Sequence, residues 1–263
     1  MTCDALLTAD GERLAVAVTP GPGATCVVLA HGFSGSIPKV RWIAERLSSY
    51  ATVLSYDARG HGRSTGRTTL GDREVLDLDA AVRAARALGH AHVVTCGWSM
   101  GGSTAIRHAA LRGTVVGGHR LEWPPDAVVS VSATARWFVR DTVPMRRLHR
   151  VVETRSGRLF ARRVMRTRIS PDGWDPPPAA PVECVAAVAP IPLLVVHGDR
   201  DGYFTVDHAV DLAEAAGEPV ELWLEEGFAH AESGASPELV DRLGAHLPVL
   251  LGRSLPPQAG DPA

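Results

Sequence analysis

The chain has 263 residues, of which 45% are hydrophobic and 21% are charged, and its formal net charge at pH 7 is -2. This composition is typical of a globular enzyme and gives no reason to expect nucleic acid as a partner. The first residues lack the basic and apolar regions of a secretion signal, and no apolar run is long enough to span a bilayer. We therefore expect a cytoplasmic protein that does not insert stably into membranes.

Short runs of β-branched residues alternate along the chain with longer helical patterns. This alternation predicts an α/β fold with a mostly parallel sheet, and the nearly continuous apolar runs predict strands that are covered on both faces. The predicted strands comprise residues 14–19, 25–30, 52–56, 93–96, 127–131, 192–197 and 220–224. The predicted helices comprise residues 40–49, 72–88, 99–112, 206–216 and 237–251.

The interval between the fifth and sixth predicted strands contains no strand pattern and is interpreted as an insertion. We assign residues 1–132 and 190–252 to one core, residues 133–189 to a helical, Arg-rich lid, and residues 253–263 to a flexible tail. Two short basic amphipathic helices are predicted at residues 144–154 and 157–169. Between Arg136 and Arg168 the insertion carries 11 arginines against Asp141 and Glu153, a local charge of +9, which leaves -11 for the rest of the chain.

Four cysteines lie far apart in the sequence, and no two of them form a C-x-x-C pair. This spacing favours neither a zinc site nor a disulfide scaffold, so we expect reduced thiols. Two of the four fall in predicted buried strands, where a thiol usually packs as a small hydrophobic group. The four are Cys3, Cys26, Cys96 and Cys184.

A Gly-x-Ser-x-Gly motif, centred on Ser99, follows one predicted strand and directly precedes a helical pattern. A nucleophile on such a sharp strand-to-helix turn needs small neighbours, which Gly97 and Gly101 provide, and Gly102 would let the helix pack close to the sheet. The turn also places Ser99 at the amino end of a helix, where the helix dipole and free amides stabilise negative charge. The motif predicts a nucleophilic serine.

A serine hydroxyl needs a neighbouring base, and the base needs a carboxylate that orients it. On a sheet of this kind the acid follows the serine in sequence and the histidine comes last. The loop after the strand at 192–197 carries Asp199 and Asp201, and the loop after the strand at 220–224 carries His230. We predict His230 as the base and prefer Asp201 as the acid because it lies further out on its loop. Asp199 stays open as the alternative.

Acyl transfer also requires amide donors for the oxyanion. The amide of Met100, next to the predicted nucleophile, is one candidate, and the amide of Phe33, in the glycine-rich loop after the strand at 25–30, is the other. The side chains of Phe33 and Trp98 are expected to flank the acyl site, unless they are core aromatics. We assign His31, Trp98 and Phe204 to the substrate pocket.

Together these motifs resemble the α/β-hydrolase superfamily over roughly residues 10 to 250, in particular its esterase, lipase-like and serine-peptidase-like branch. The segments that carry the resemblance are His31-Gly32-Phe33, Asp57-Ala58-Arg59-Gly60-His61-Gly62-Arg63-Ser64, Gly97-Trp98-Ser99-Met100-Gly101-Gly102, His197-Gly198-Asp199-Arg200-Asp201 and Gly227-Phe228-Ala229-His230. The resemblance implies an eight-stranded sheet with helices on both faces, an eighth strand near residues 5–9, and a lid at the insertion. It gives the triad roles to Ser99, Asp201 and His230, and only structural roles to Asp57, Arg59 and His61.

The sequence therefore predicts a serine hydrolase that cleaves carboxylic esters of small or medium acyl substrates through an acyl-enzyme, with neither a metal nor an organic cofactor. Thioesterase and small-peptide hydrolase activities remain alternatives because the triad does not identify the leaving group. A ligand-binding protein without turnover is an alternative of another class, and a cofactor-free haloperoxidase or lyase is a more distant one. Besides the small-molecule acyl substrate, the Arg-rich lid suggests contact with an anionic substrate or an acyl carrier.

Overall fold

One sheet of eight strands organises the chain in a computed structural model that describes residues 5–252. Within this range the strands are β1 (Ala5–Leu7), β2 (Arg13–Thr19), β3 (Thr25–Ala30), β4 (Thr52–Tyr56), β5 (His92–Trp98), β6 (Val115–Val116), β7 (His119–Arg120), β8 (Ala127–Val131), β9 (Leu193–Gly198) and β10 (Val220–Glu225). The sheet has the order β1-β2-β4-β3-β5-β8-β9-β10, and β6 pairs with β7 in a separate hairpin. The predicted tail at 253–263 and Cys3 lie outside the described residues.

The strand pairing explains why the candidate residues can meet. β2 is antiparallel to both β1 and β4, whereas every pairing from β4 to β10 is parallel. In this register Ala30 lies beside Gly97, and Gly97 lies beside Ser130. The loops that follow β3, β5, β8, β9 and β10 therefore open at one edge of the sheet.

Helices cover both faces of the sheet, as predicted. The helices are α1 (Ile37–Leu47), α2 (Glu74–Ala87), α3 (Met100–Ala110), α4 (Val143–Glu153), α5 (Arg155–Arg163), α6 (Pro181–Cys184), α7 (Asp207–Ala215), α8 (Ala231–Gly234) and α9 (Pro237–Leu250), with a 3-10 turn at Val185–Val188. Apolar side chains of α2, α3 and α7 pack on one face, and those of α1 and α9 pack on the other. Among the described residues no helix is long and apolar enough to cross a membrane.

The Arg-rich insertion (residues 133–189) lies between β8 and β9 and is tied to the core by specific polar contacts. Arg168 donates to the carbonyl oxygens of Ser64 and Gly66, and Arg136 forms ion pairs with Asp207 and Asp211 on α7. The insertion therefore packs on the sheet edge where the loops converge.

The second basic helix is shorter than the sequence predicts. α5 ends at Arg163 rather than near Ile169, because the chain turns at Arg166, whose φ is 53°. The amide of Thr167 then bonds back to Ala161, and Ile169 forms a bridge with Thr68 of the core. The polar backbone after α5 is thus paired with the core instead of continuing the helix.

The three described cysteines are free thiols. Burial raises the pKa of both Cys26 and Cys96 to about 12, and burial likewise raises the pKa of Cys184 to about 11. These thiols are therefore protonated at neutral pH, which agrees with the packing role predicted for Cys26 and Cys96.

Candidate active site

Ser99 occupies a strained turn between the end of β5 and the start of α3. Its φ is 52° and its ψ is -117°, a backbone conformation that L-residues rarely adopt, and its amide is fixed by a 2.8 Å hydrogen bond to the carbonyl oxygen of Val131. A Cβ at Gly97 would lie 2.1 Å from the carbonyl oxygen of Gly101, and one at Gly101 would lie 2.3 Å from that of Ala30. Both glycines are therefore required for this turn.

His230 connects Ser99 to a buried carboxylate. Its Nε2 lies 2.9 Å from the Ser99 hydroxyl, and its Nδ1 lies 2.7 Å from Oδ2 of Asp201. With the proton on Nδ1 donated to Asp201, Nε2 is free to accept the serine proton. The side chain of Asp201 is fully buried and that of His230 is 14% exposed, so the chain of bonds is largely shielded from water.

Asp201 is held in its ionised form by several donors. Its Oδ1 accepts hydrogen bonds from the amides of Tyr203, at 2.8 Å, and Phe204, at 3.0 Å. Burial acts to raise the pKa of Asp201, but the hydrogen bond and charge of His230, together with these amides, outweigh it and hold the pKa below its ordinary value. Asp199, the alternative, instead accepts the amide of Gly227 at 2.6 Å and does not contact His230.

The two amides predicted for the oxyanion lie beside Ser99 without acceptors. Within residues 5–252, neither the amide of Phe33 nor that of Met100 donates to a protein atom, although their neighbours do. The amide of Gly32 donates to Oε1 of Glu232 at 2.6 Å, and the amide of Ser34 donates to Nε2 of His61 at 3.2 Å. The loop that carries Phe33 is thus fixed on both sides, which leaves its free amide in a defined position.

The turn after β4 has the structural role that the resemblance implies. Asp57 accepts the amide of Ile37 at 2.7 Å, and Arg59 forms ion pairs with Asp10 and Asp77. Burial, together with the neighbouring His31, lowers the pKa of His61 to about 3, so this ring stays neutral and can accept the amide of Ser34.

Two cavities meet at Ser99. The first, the aromatic cavity, has a volume of about 400 Å³ and is lined by Met100, Trp137, Phe138, Ile169 and Trp174 among others. The second, the cationic cleft, has a volume of about 670 Å³ and is lined by Lys39, Arg147, Tyr203, His230 and Glu232 among others. The side chains that line both are Phe33, Ser99, Met145, Leu148 and Phe204.

Two of the three residues assigned to the substrate pocket lie elsewhere. Trp98 is fully buried in the core on the α1 and α9 face, and His31 is 2% exposed, with its Nε2 accepting the amide of Ala58 at 3.0 Å. Neither lines the aromatic cavity or the cationic cleft, because each side chain points from its strand end into the protein. The assignments of His31 and Trp98 to the pocket are wrong, whereas Phe204 lines both cavities.

The sequence prediction missed several residues that line the site. Tyr203 packs on the His230 ring with centroids 4.3 Å apart, and Trp174 and Trp137 pack together with centroids 5.0 Å apart. Glu232 is two residues beyond His230, so its proximity to the base is visible in the sequence, but its bond to Gly32 depends on the fold. Among the described residues, no group of three or more His, Cys, Asp or Glu side chains could hold a metal ion.

A family model described as the alpha/beta hydrolase family matches residues 27–254. The chain belongs to the α/β-hydrolase family. Two solved structures support the same fold for this α/β-hydrolase. The Pyrococcus furiosus esterase Pf2001 is 21% identical, with 96% of this chain and 92% of that chain covered and a TM-score of 0.66. The esterase RhEst1 from Rhodococcus sp. ECU1013 is 19% identical, with 97% and 100% covered and a TM-score of 0.68.

One curated relative matches a part of this α/β-hydrolase. It is the pimeloyl-[acyl-carrier protein] methyl ester esterase of Proteus mirabilis (strain HI4320), which is 34% identical over 91 residues, or 35% of this chain. The match spans 33% of the length of that relative. The family and the fold are therefore established, and the predicted α/β-hydrolase fold with a mostly parallel eight-stranded sheet is confirmed.

Proposed function

We propose that this α/β-hydrolase cleaves carboxylic esters of small or medium acyl groups through a covalent acyl-enzyme on Ser99. The observation that carries the proposal is the unbroken chain of hydrogen bonds from Asp201 through His230 to the Ser99 hydroxyl. This arrangement is the one by which a serine hydroxyl becomes nucleophilic at neutral pH. The names of three similar proteins, all called esterases, agree with it.

In the acylation step, Ser99 Oγ attacks the ester carbonyl carbon while His230 Nε2 takes the hydroxyl proton. The carbonyl oxygen becomes an oxyanion that the amides of Phe33 and Met100 stabilise, supported by the amino end of α3. The tetrahedral intermediate collapses, the bond to the leaving oxygen breaks, and that oxygen takes the proton from His230. The acyl group of the substrate is then covalently bonded to Ser99 Oγ, and the alcohol is released.

In the deacylation step, water takes the place of the alcohol. The water oxygen attacks the acyl carbon while His230 accepts a proton from the water. His230 then gives this proton to Ser99 Oγ as the bond from Oγ to the acyl carbon breaks and the acid is released. Asp201 stabilises the positively charged imidazole in both steps without itself taking the proton. The volume of the aromatic cavity, about 400 Å³, suits acyl groups of small or medium size.

We further propose that the Arg-rich insertion favours anionic substrates, including acyl groups on an anionic carrier. Seven of its arginines are exposed and have no acidic partner within residues 5–252; they are Arg146, Arg147, Arg150, Arg155, Arg162, Arg163 and Arg166. Clustered charge of one sign raises the local concentration of an oppositely charged substrate. The acyl-carrier protein in the name of the Proteus mirabilis relative belongs to that enzyme, and for this chain it is one example of the class.

A fluorophosphonate probe tests the proposal. We expect it to label the purified protein at Ser99 and to leave Ser99→Ala unlabelled. Hydrolysis of short-chain and medium-chain esters should likewise occur with the purified protein and be lost in Ser99→Ala. A panel of esters, thioesters and aminoacyl amides with the same acyl group separates the esterase from the thioesterase and peptidase alternatives. If the intact protein is not labelled and turns over none of these substrates, it is a ligand-binding protein and the proposal is wrong.

A further inference from the structure

The two cavities that meet at Ser99 differ in one feature that bears on the reaction, which is their contact with His230. His230 lines the cationic cleft and does not line the aromatic cavity. In ester cleavage the leaving oxygen takes its proton from His230 Nε2 and must therefore lie on the side of the site that His230 faces. The leaving group thus extends into the cationic cleft, and the acyl group extends into the aromatic cavity.

The cavities also differ in their unpaired charge. In the aromatic cavity, Arg136 is bound by Asp207 and Asp211, and Arg158 donates to the carbonyl oxygens of Val152 and Glu153. Two acidic side chains, Glu153 and Asp172, also line this cavity, so its two arginines leave no net positive charge. The aromatic side chains Trp137, Phe138 and Trp174 form the apolar part of the same wall.

In the cationic cleft, the cations are available to a ligand. The side chain of Arg147 is exposed and has no hydrogen-bond or ion-pair partner within residues 5–252, and the side chain of Lys39 donates only to the carbonyl oxygen of Ser34, at 2.7 Å. Glu232 is the one acidic side chain that lines the cleft among these residues, and its carboxylate is bound by the amide of Gly32. The cleft therefore presents two positive charges without acidic partners.

We infer that the substrates of this enzyme are esters whose leaving group carries a negative charge, a carboxylate or phosphate bound by Lys39 and Arg147, while an apolar acyl group occupies the aromatic cavity. This inference rests on the proposed function and adds to it the chemistry of each half of the substrate. It also divides the specificity between two sets of side chains that can be changed independently.

Two esters of the same acid test the inference, one with 3-hydroxybenzoate and one with 3-hydroxybenzamide as the leaving group. They differ in charge and hardly in shape. We expect kcat/KM to favour the charged ester by roughly threefold to tenfold, the range for two partly exposed charge pairs, and to lose this preference at high ionic strength. A third ester of the same acid, whose leaving group carries a phosphate in place of the carboxylate, shows which of the two anions is preferred.

Single substitutions identify the side chains that cause the preference for the charged ester. We expect Lys39→Ala and Arg147→Ala each to reduce the charged-to-neutral ratio, and Arg147→Lys to retain most of it. Arg120→Ala, which removes an exposed cation of the β6–β7 hairpin that lies outside the insertion and lines neither cavity, should leave the ratio unchanged. Trp174→Ala should alter the preference for acyl size and leave the charge ratio as it is.

The outcomes separate the inference from the proposed function. Turnover that depends on Ser99 but is equal for both esters, or a ratio that Lys39→Ala and Arg147→Ala do not change, overturns the inference alone. The assignment of the two cavities is reversed if the same two variants instead affect a charge placed on the acyl group. If neither ester is hydrolysed by the intact enzyme, the proposed function itself has failed.

Discussion

At the scale of single residues, hydrogen-bond partners distinguish the two candidate acids, Asp199 and Asp201, better than their positions in the loop do. Asp199 and Asp201 both follow β9, but Asp201 alone reaches His230, because its Oδ1 is fixed by the amides of Tyr203 and Phe204. The order of the motifs in the sequence left these two carboxylates as candidates for the residue that orients His230. It could not separate them, since the difference arises from how the loop folds back on itself.

Replacing each carboxylate by an amide should separate the two roles. We expect Asp201→Asn to lower kcat by about 10³-fold to 10⁴-fold, because the amide favours the wrong tautomer of His230 and cannot stabilise its charged form. Asp199→Asn keeps an oxygen that can accept the amide of Gly227 and should leave kcat nearly unchanged. The measurement is steady-state hydrolysis of one chromogenic ester, and equal losses in the two variants would contradict the assignment.

Glu232 is expected to be a positioning residue that acts through the oxyanion loop. The loop passes close to Ser99, where a Cβ at Gly32 would lie 3.1 Å from the Cβ of Ser99. The carboxylate of Glu232 accepts the amide of Gly32 and so holds the loop in this place. We expect Glu232→Ala to lower kcat by about tenfold, less than the roughly 100-fold loss of a whole oxyanion donor, with little change in KM.

The conservative variant Glu232→Gln supplies the control, because its amide oxygen can still accept the Gly32 hydrogen bond. It should retain most of kcat and show the pH profile of the parent enzyme. If Glu232→Gln is as impaired as Glu232→Ala, the charge of the side chain matters rather than the hydrogen bond, and the positioning role is wrong.

At the scale of elements, local sequence predicts the core well and the insertion less well. The buried strands are nearly continuous apolar runs, so their periodicity is unambiguous, and α1 differs mainly because it begins at Ile37, just before Pro38, rather than at Val40. α5 is shorter than predicted because Ile169 pairs with Thr68, a contact between segments far apart in sequence. Such a contact leaves no periodic signal.

The direction of a side chain at the end of a strand is a second limit of local prediction. Trp98 and His31 stand next to the predicted nucleophile and oxyanion loop in sequence, yet both point into the protein interior. Successive side chains of a strand alternate between its faces, so a neighbour in sequence need not be a neighbour in the cavity. Of the aromatic side chains that line the aromatic cavity, Trp137, Phe138 and Trp174 come from the insertion, and Phe33 and Phe204 come from loops of the core.

The close approach of α3 to β3 predicts a cost for any side chain at Gly101. A Cβ there would lie 2.3 Å from the carbonyl oxygen of Ala30, which belongs to the backbone and cannot move aside. We expect Gly101→Ala to lower the free energy of unfolding by at least about 1–3 kcal/mol, the usual cost of overpacking. Gly173→Ala is the matched control, because a Cβ at Gly173 meets nothing within 4 Å. Urea denaturation measures both, and equal stabilities would contradict the packing argument.

At the scale of the whole molecule, the site is assembled from the core and the insertion together. The predicted triad residues lie in loops of the core, whereas much of the wall of each cavity comes from residues 133–189. Because the sequence contains the motifs of the core in recognisable order, the meeting of Ser99, Asp201 and His230 could be predicted. The cavities could not, since they depend on how α4 and α5 pack over the sheet edge.

Buried neutral histidines give the whole molecule a characteristic response to acid. Burial lowers the pKa of His208, and burial, with the neighbouring His31 and Arg168, lowers that of His61 from 6.5 to about 3. Between these values the unfolded chain binds a proton at position 61 that the folded chain does not bind. The contribution of His61 to the free energy of unfolding is therefore fully present above pH 6.5 and decreases as the pH falls towards 3.

We expect the free energy of unfolding, measured by urea denaturation, to fall between about pH 6 and pH 4.5 with a slope that includes about 1.4 kcal/mol per pH unit from His61. His61→Gln removes this proton and should reduce the slope by about that amount, whatever its stability at neutral pH. Gly173→Ala, which changes no titratable group and whose added Cβ meets nothing within 4 Å, is the control and should keep the slope of the parent. A slope that His61→Gln leaves unchanged would mean that His61 is protonated in the folded protein, and the amide of Ser34 would then have lost its acceptor in the loop that carries Phe33.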